Sequence, residues 1–295
     1  GGSTFSDALR KHPKIFDDLY CNMVNAGEVG GLLDTILGRL SKHIEKTMKL
    51  KSQIKSAMVY PAAIVGIAAI VITVLMIWVI PVFDKMFKEM SGGKMALPAP
   101  TQLVIDMSNF AQAYWYIILG VIAGAVFAFK KYYATAQGRL TVDRTVLKLP
   151  VFGDLIRKAS VAKFTRTLGT LITSGVPLLE ALSICAKTAG NKVIEGVLMD
   201  ARVSISGGKT ISEPLVKSEA FPKMVTHMIA VGESTGALDN MLGKIADFYE
   251  DEVDAAVTNL TALLEPMMMV FLGVTVGFIV IAMYLPIFSM ASAIG

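Results

Sequence analysis

Apolar positions recur every three or four residues along two stretches about 205 residues apart: Leu33, Ile36, Leu37, Leu40 and Ile44, then Leu238, Met241, Leu242, Ile245 and Tyr249. That spacing predicts amphipathic helices. The same turn precedes both. Residues 26–34 read A-G-E-V-G-G-L-L-D and residues 231–239 read V-G-E-S-T-G-A-L-D, so Gly27, Glu28, Gly31, Leu33 and Asp34 recur as Gly232, Glu233, Gly236, Leu238 and Asp239. Each helix then reaches a proline, Pro61 or Pro266, where the stripe widens into an unbroken apolar run. The chain reads as two related helical units, each feeding a membrane span.

Three apolar runs stand out. Residues 57–82 carry no charge over about 26 positions, more than the roughly 20 that cross a bilayer with some tilt. Residues 111–129 have Tyr114, Trp115 and Tyr116 at one end and Lys130 and Lys131 at the other, a frame of headgroup-seeking rings and water-seeking amines. Residues 266–290 are again free of charge. Lys42, Lys46, Lys49, Lys51 and Lys55 precede the first run, and Lys130, Lys131, Arg139, Arg144 and Lys148 follow the second. Between the two, Lys85, Lys88 and Lys94 are balanced by Asp84, Glu89 and Asp106. The basic flanks are expected on the cytoplasmic side, which puts the N-terminus inside and residues 83–110 outside.

Glycine and proline punctuation divides the remainder. Residues 134–150 read as a basic connecting helix, followed by helices over 162–173, 178–189, 192–205 and 210–216, one from about 222, and a long sixth after the Gly232–Gly236 turn. The expected fold is all-α: two homologous cytoplasmic helical bundle domains, the first shortened, plus three transmembrane helices. The expected division is 1–56 for the first domain, 57–82 for span 1, 83–110 for the periplasmic connection, 111–129 for span 2, 130–265 for a second, six-helix domain, and 266–290 for span 3. Residues 4–9 resemble 210–215, yet nothing before them matches 162–207. About three helices of the first unit, roughly 50 residues or more, are therefore expected upstream, with a genuinely degenerate first repeat as the alternative.

Composition agrees: 54% of the 295 residues are hydrophobic and mean hydropathy is +0.58, too apolar for an ordinary soluble domain. The net charge of +4 reflects the membrane-flanking bias, and the basic residues alternate with acids without aromatic interleaving, so no nucleic-acid partner is expected. Cys21 and Cys185 fall in segments assigned to the cytosol and read as free buried thiols. His12, His43 and His227 lack acidic or cysteine companions at ligand spacing, so no metal site is expected. The first apolar run begins only after some 56 residues, so no signal peptide is expected in that stretch.

Several motifs invite chemistry. Gly207-Gly208-Lys209-Thr210 ends like a phosphate loop, but Val203 stands where that loop needs a glycine and the preceding segment is helical. Helix termination accounts for it. The twin turns admit two readings. Glu28 and Glu233 are acidic contacts for a cytosolic partner, or they support a tight turn in which Gly31 and Gly236 supply permissive backbone and Asp34 and Asp239 favour the next helix; the second reading is preferred. Gly120 with Gly124, and Gly273 with Gly277, have the small-residue spacing that lets membrane helices approach, within one subunit or between two. No span carries an ionisable residue, which argues against an ion-coupled transporter. No nucleophile, base or metal constellation suggests an enzyme, and no cofactor is expected.

At the first membrane entry, Gln53-Ile54, Ala57-Met58, Tyr60-Pro61, Ile64, Ala68, Leu75 and Val79-Ile80-Pro81 stand at the spacings of a known signature. The chain there resembles the bacterial type II secretion F family, inner-membrane platform proteins of type II secretion systems and type IV pili. Arg166, Leu168, Leu171, Ser174-Gly175-Val176-Pro177 and Leu178 resemble the family's opening helices, and 232–238 its repeated turn. Residues 81–83, 86–87 and 96–101 look more like the pilus members. The resemblance implies a non-catalytic hub that couples a hexameric cytoplasmic ATPase to insertion or extraction of pilin subunits. It also implies inner-membrane alignment proteins as partners and a homo-oligomer, dimer or higher. The platform protein of a type II secretion system is the alternative.

Overall fold

The computed structural model describes residues 2–90, 97–218 and 220–294; the expected connection's 91–96, with Lys94 and Ala96, lie outside the described residues. Every regular element among the described residues is a helix. In order these are α1 (Phe5–Arg10), α2 (Asp18–Gly30), α3 (Leu33–Val74), a π-helical segment (Leu75–Val79), α4 (Ile80–Met90), α5 (Ala99–Ala134), α6 (Ala136–Lys148), α7 (Phe152–Thr173), α8 (Leu178–Thr188), α9 (Lys192–Ser206), α10 (Ser212–Lys217), α11 (Lys223–Thr235) and α12 (Leu238–Ile294). Among the described residues, three stretches are long and apolar enough to span a membrane: Leu33–Met86, Ala99–Ala134 and Leu238–Phe288.

The helix ends follow local chemistry. Thr4, Asp17, Thr135 and Asn191 each accept a backbone N–H of the first turn that follows, satisfying donors a helix start leaves open. Gly31 at φ 66° and Gly236 at φ 72° close α2 and α11 in the left-handed conformation. Between α6 and α7 the chain turns through Val151 at φ 67°, ψ −59°, where the Phe152 N–H bonds to the Pro150 carbonyl. This three-residue turn is a strained form for a β-branched residue. It lets α7 begin at Phe152, ten residues ahead of the expected start at 162.

Contacts divide the chain into two compact units, one of residues 1–55 and 133–258, the other of 56–132 and 259–295. In the first unit the two repeats share one core. Leu9, Met23, Val24, Ile36 and Leu40 lie in the same cluster as Phe164, Leu168, Leu182, Ile211, Ile229, Leu242 and Ile245. The physical reason is size: a segment of 55 residues buries a smaller fraction of its surface than a larger domain, so a pooled core hides more of both repeats. The apolar stripe of α12 is buried at Leu242, Ile245 and Tyr249, whereas Leu37 and Ile44 of α3 remain exposed.

In the second unit a smaller cluster joins Ile80, Val104, Ile105, Ile279 and Ala282. Two of these sit in the expected connection 83–110, which is largely helical: α4 runs to Met90 and α5 starts at Ala99. α5 departs from helical geometry at Tyr114, φ −119° and ψ 17°. Its buried residues, Thr101, Val104, Ile105 and Ser108, all precede that point.

Candidate functional site

The twin Gly-Glu turns do more than turn. The Glu28 carboxylate accepts the Phe5 N–H at 2.6 Å and the Ser6 N–H at 2.9 Å. Glu233 accepts the Ile211 N–H at 2.7 Å and the Ser212 N–H at 3.5 Å, and the Ser212 hydroxyl at 3.3 Å. Each acid thus reaches back to the start of a short helix, α1 or α10, and meets the positive end of its dipole. The companions repeat as well: Thr4 and Ser6 hydroxyls lie 3.0 Å apart, Thr210 and Ser212 hydroxyls 3.2 Å. Hydrogen bonds from Ser6 and Phe5 hold the Glu28 carboxyl below its usual range. The expected support of a local turn is therefore a clamp between helices, made by side chains that sequence spacing alone did not connect.

The glycines divide two tasks. Gly31 and Gly236 supply positive φ, as expected. Gly27 and Gly232 let the backbone of one helix touch the next. A Cβ on Gly232 would stand 3.0 Å from Leu238 Cα and 3.1 Å from Met241 Cβ; one on Gly27 would stand 3.2 Å from Leu33 Cα and 3.1 Å from Ile36 Cβ. Asp34 and Asp239 lie in the first turns of α3 and α12, where an acid is favoured by the dipole.

A second constellation lies where α3, α7 and α12 run together in the first unit. Arg166 of α7 bonds to Asp247 at 2.5 Å and Glu250 at 2.7 Å, and Lys46 of α3 reaches the same pair at 2.9 and 3.3 Å. Seven residues further along α3, at the start of the family signature, Gln53 donates to Asp254 at 2.9 Å. Burial works against the charge on Asp247, but the bonds from Arg166 and Lys46 outweigh it and leave its pKa lowered. The repeat explains the arrangement. Lys42, Lys46 and Lys49 of α3 occupy the places of Asp247, Asp251 and Asp254 in α12, so equivalent faces carry opposite charge. Aligning the repeats by charge as well as by apolar stripe would have revealed this.

Pro61 and Pro266 lie inside helices, and Tyr60 is exposed. Pro81 follows the π segment, one residue into α4. A Cβ at Gly120, Gly124, Gly273 or Gly277 would meet nothing within 4 Å, so neither glycine pair packs a helix of this chain among the described residues. The second constellation therefore tethers α3 to α12 at residues 46–53 and 247–254, just ahead of the apolar stretch of each.

The sequence profile described as type II secretion system (T2SS), protein F, matches residues 1–81 and 164–286, two segments that end at the repeat-equivalent prolines Pro81 and Pro286. The chain is 53% identical over 293 residues to the type IV pilus assembly protein PilC of Myxococcus xanthus, covering 99% of this chain and 70% of that one. It is 42% identical to the protein of the same name from Pseudomonas aeruginosa, covering 100% of this chain and 78% of that one. To the type II secretion system protein F of Xanthomonas campestris it is 34% identical, covering 100% and 72%.

Proposed function

The chain belongs to the type II secretion system protein F family, and from that premise we propose that it couples a cytoplasmic hexameric ATPase to insertion or extraction of pilin subunits in type IV pilus assembly. Membership itself makes it an inner-membrane platform protein of pilus or secretion machinery. The observation that favours the pilus is the gap in identity, 53% and 42% to two pilus proteins against 34% to a secretion protein. The platform of a type II secretion system is the second reading.

The coupling is carried by α3 and α12. Both leave the same core, both enter an apolar stretch, and the Lys46–Asp247–Glu250–Arg166 network ties them together before they do. A load on the first unit reaches both helices at once. The N-terminus is cytoplasmic in this reading, and residues 83–110 are periplasmic. Gly120, Gly124, Gly273 and Gly277, open on this chain, face another copy in a homo-oligomer or a pilin helix. Alignment proteins of the same membrane complete the assembly, and the platform itself performs no catalysis.

Deletion of the gene in its native host is expected to abolish surface pili while leaving protein secretion intact, and the tagged full-length protein should retain the pilus ATPase on purification. A deletion strain that keeps its pili but loses secretion would replace the pilus reading with the secretion one. Failure to retain either ATPase would remove the coupling role.

A further inference from the structure

Proline in a helix lacks the N–H that should meet the carbonyl four residues earlier. Two prolines of the second unit, Pro81 and Pro286, occupy equivalent places in the two repeats. Pro286 leaves the Ala282 carbonyl without its donor, and the Thr101 hydroxyl of α5 donates to that oxygen at 2.5 Å. Near Pro81 the backbone is shifted by one residue, because the Ile80 N–H returns to the Leu75 carbonyl and closes the π-helical segment. The Met76 carbonyl is then served neither by Ile80, whose N–H is used, nor by Pro81, which has none. Two donors from α5 fill the gap. The Ser108 hydroxyl donates to the Met76 carbonyl, and Gln112 Nε2 donates to it at 3.2 Å while also reaching the Ser108 oxygen at 3.2 Å.

Thr101, Ser108 and Gln112 are spaced by seven and four residues, so they stand on one face of α5. Thr101 and Ser108 are 5% and 1% exposed, in the segment that packs Val104 and Ile105 against Ile80 and Ile279. In so apolar a setting a carbonyl without a donor is costly, and the hydroxyls are well placed to remove that cost.

We propose that these three side chains form a latch, by which α5 holds the two proline joints of the neighbouring spans in one geometry. With the latch closed, the freed carbonyls at Met76 and Ala282 are satisfied and both joints are fixed. With it released, each span regains a bend at Pro81 or Pro286 that breaks no helical hydrogen bond. The kink of α5 at Tyr114 lies two residues beyond the last latch residue, so the latched part of α5 is the part ahead of it.

A double-mutant cycle on the full-length protein in detergent, read by thermal unfolding, tests the pairing. Thr101→Val is expected to lower the midpoint by about 2 °C, and by less than half as much alongside Pro286→Ala, because that change restores an N–H to the Ala282 carbonyl. Ser108→Ala and Pro81→Ala should show the same relation, Thr101→Ser should retain stability, and the crossed pair Thr101→Val with Pro81→Ala should be additive. Additivity in both matched pairs, or equal coupling in the crossed pair, overturns the pairing. Spin labels at Lys85 and Phe110 test the latch itself: the combined Thr101→Val and Ser108→Ala variant should show a broader distance distribution than the parent. An unchanged distribution overturns the latch.

Discussion

Glu233 receives the Ile211 N–H at 2.7 Å across 22 residues of chain, and so fixes the start of α10 from the end of α11. Glu233→Gln keeps an acceptor but loses the charge at the helix start. The expected loss is about 1 kcal/mol in thermal or chemical unfolding, with ATPase retention unchanged. A variant that unfolds like the parent yet no longer retains the ATPase would make Glu233 a partner contact instead.

Gly232 and Gly243 make a matched pair of helical glycines, since a Cβ at Gly232 would stand only 3.0 Å from Leu238 Cα while one at Gly243 meets nothing within 4 Å. Gly232→Ala is expected to destabilise by about 1–3 kcal/mol. Gly243→Ala is expected to be neutral or stabilising by up to about 1 kcal/mol, the ordinary helix preference. Equal effects in unfolding experiments would show that the close approach at Gly232 is unimportant.

Arg166 and Lys46 share two acids but differ in setting. The Arg166 side chain is 18% exposed and Lys46 44%. Removing the guanidinium leaves Asp247 and Glu250 with only the more exposed Lys46 between them, so Arg166→Met should cost about 1–3 kcal/mol, while Lys46→Met should cost less than about 1 kcal/mol. Salt should narrow the Lys46 effect more than the Arg166 effect. The reverse order in denaturant unfolding would remove Arg166 from the centre of the network.

His43 is buried, and burial lowers its pKa below the ordinary 6.5, with Arg166 and Lys163 acting in the same direction and Asp17 opposing. The folded state therefore binds fewer protons there than the unfolded state. The stability contributed by neutral His43 is present above about pH 6.5 and declines as pH falls from there towards the lower folded value. His43→Phe, the residue at the equivalent place in α12, should flatten the stability profile in that window and leave it unchanged near pH 8. Loss of the acid-labile Glu28 and Asp247 contacts belongs to lower pH, since both pKa values are depressed from carboxylate reference values. A profile unaltered by His43→Phe between pH 5 and 7 would exclude this source.

Much of the fold was legible because repeated apolar stripes and charge-free runs are local signals. Leu242, Ile245 and Tyr249 are buried as their spacing implied, and Gly31 and Gly236 adopt the positive φ that the turn required. What escaped was non-local. Nothing in residues 1–56 says that Met23 and Leu40 share a core with Phe164 and Leu242; that follows from how little surface a short bundle can bury. Glu28 and Glu233 stood out by repetition, but the backbone N–H groups they accept lie over 20 residues upstream, beyond the reach of turn geometry. Thr101 and Ser108 were invisible as polar residues in a presumed connection, because their partners are carbonyls exposed by prolines on other helices.

The opposite charges on α3 and α12 have a consequence for the history of the chain. A duplicated segment begins as two interchangeable copies, and each could in principle stand in for the other. Here Lys46 of α3 reaches Asp247 of α12 while its own equivalent in the second copy is Asp251, so placing the second copy in both positions would set acid against acid. The copies have become mutually obligate, like the two unlike chains of a heterodimer joined end to end. A gene-conversion event that made them identical again would erase the pairing that distinguishes them.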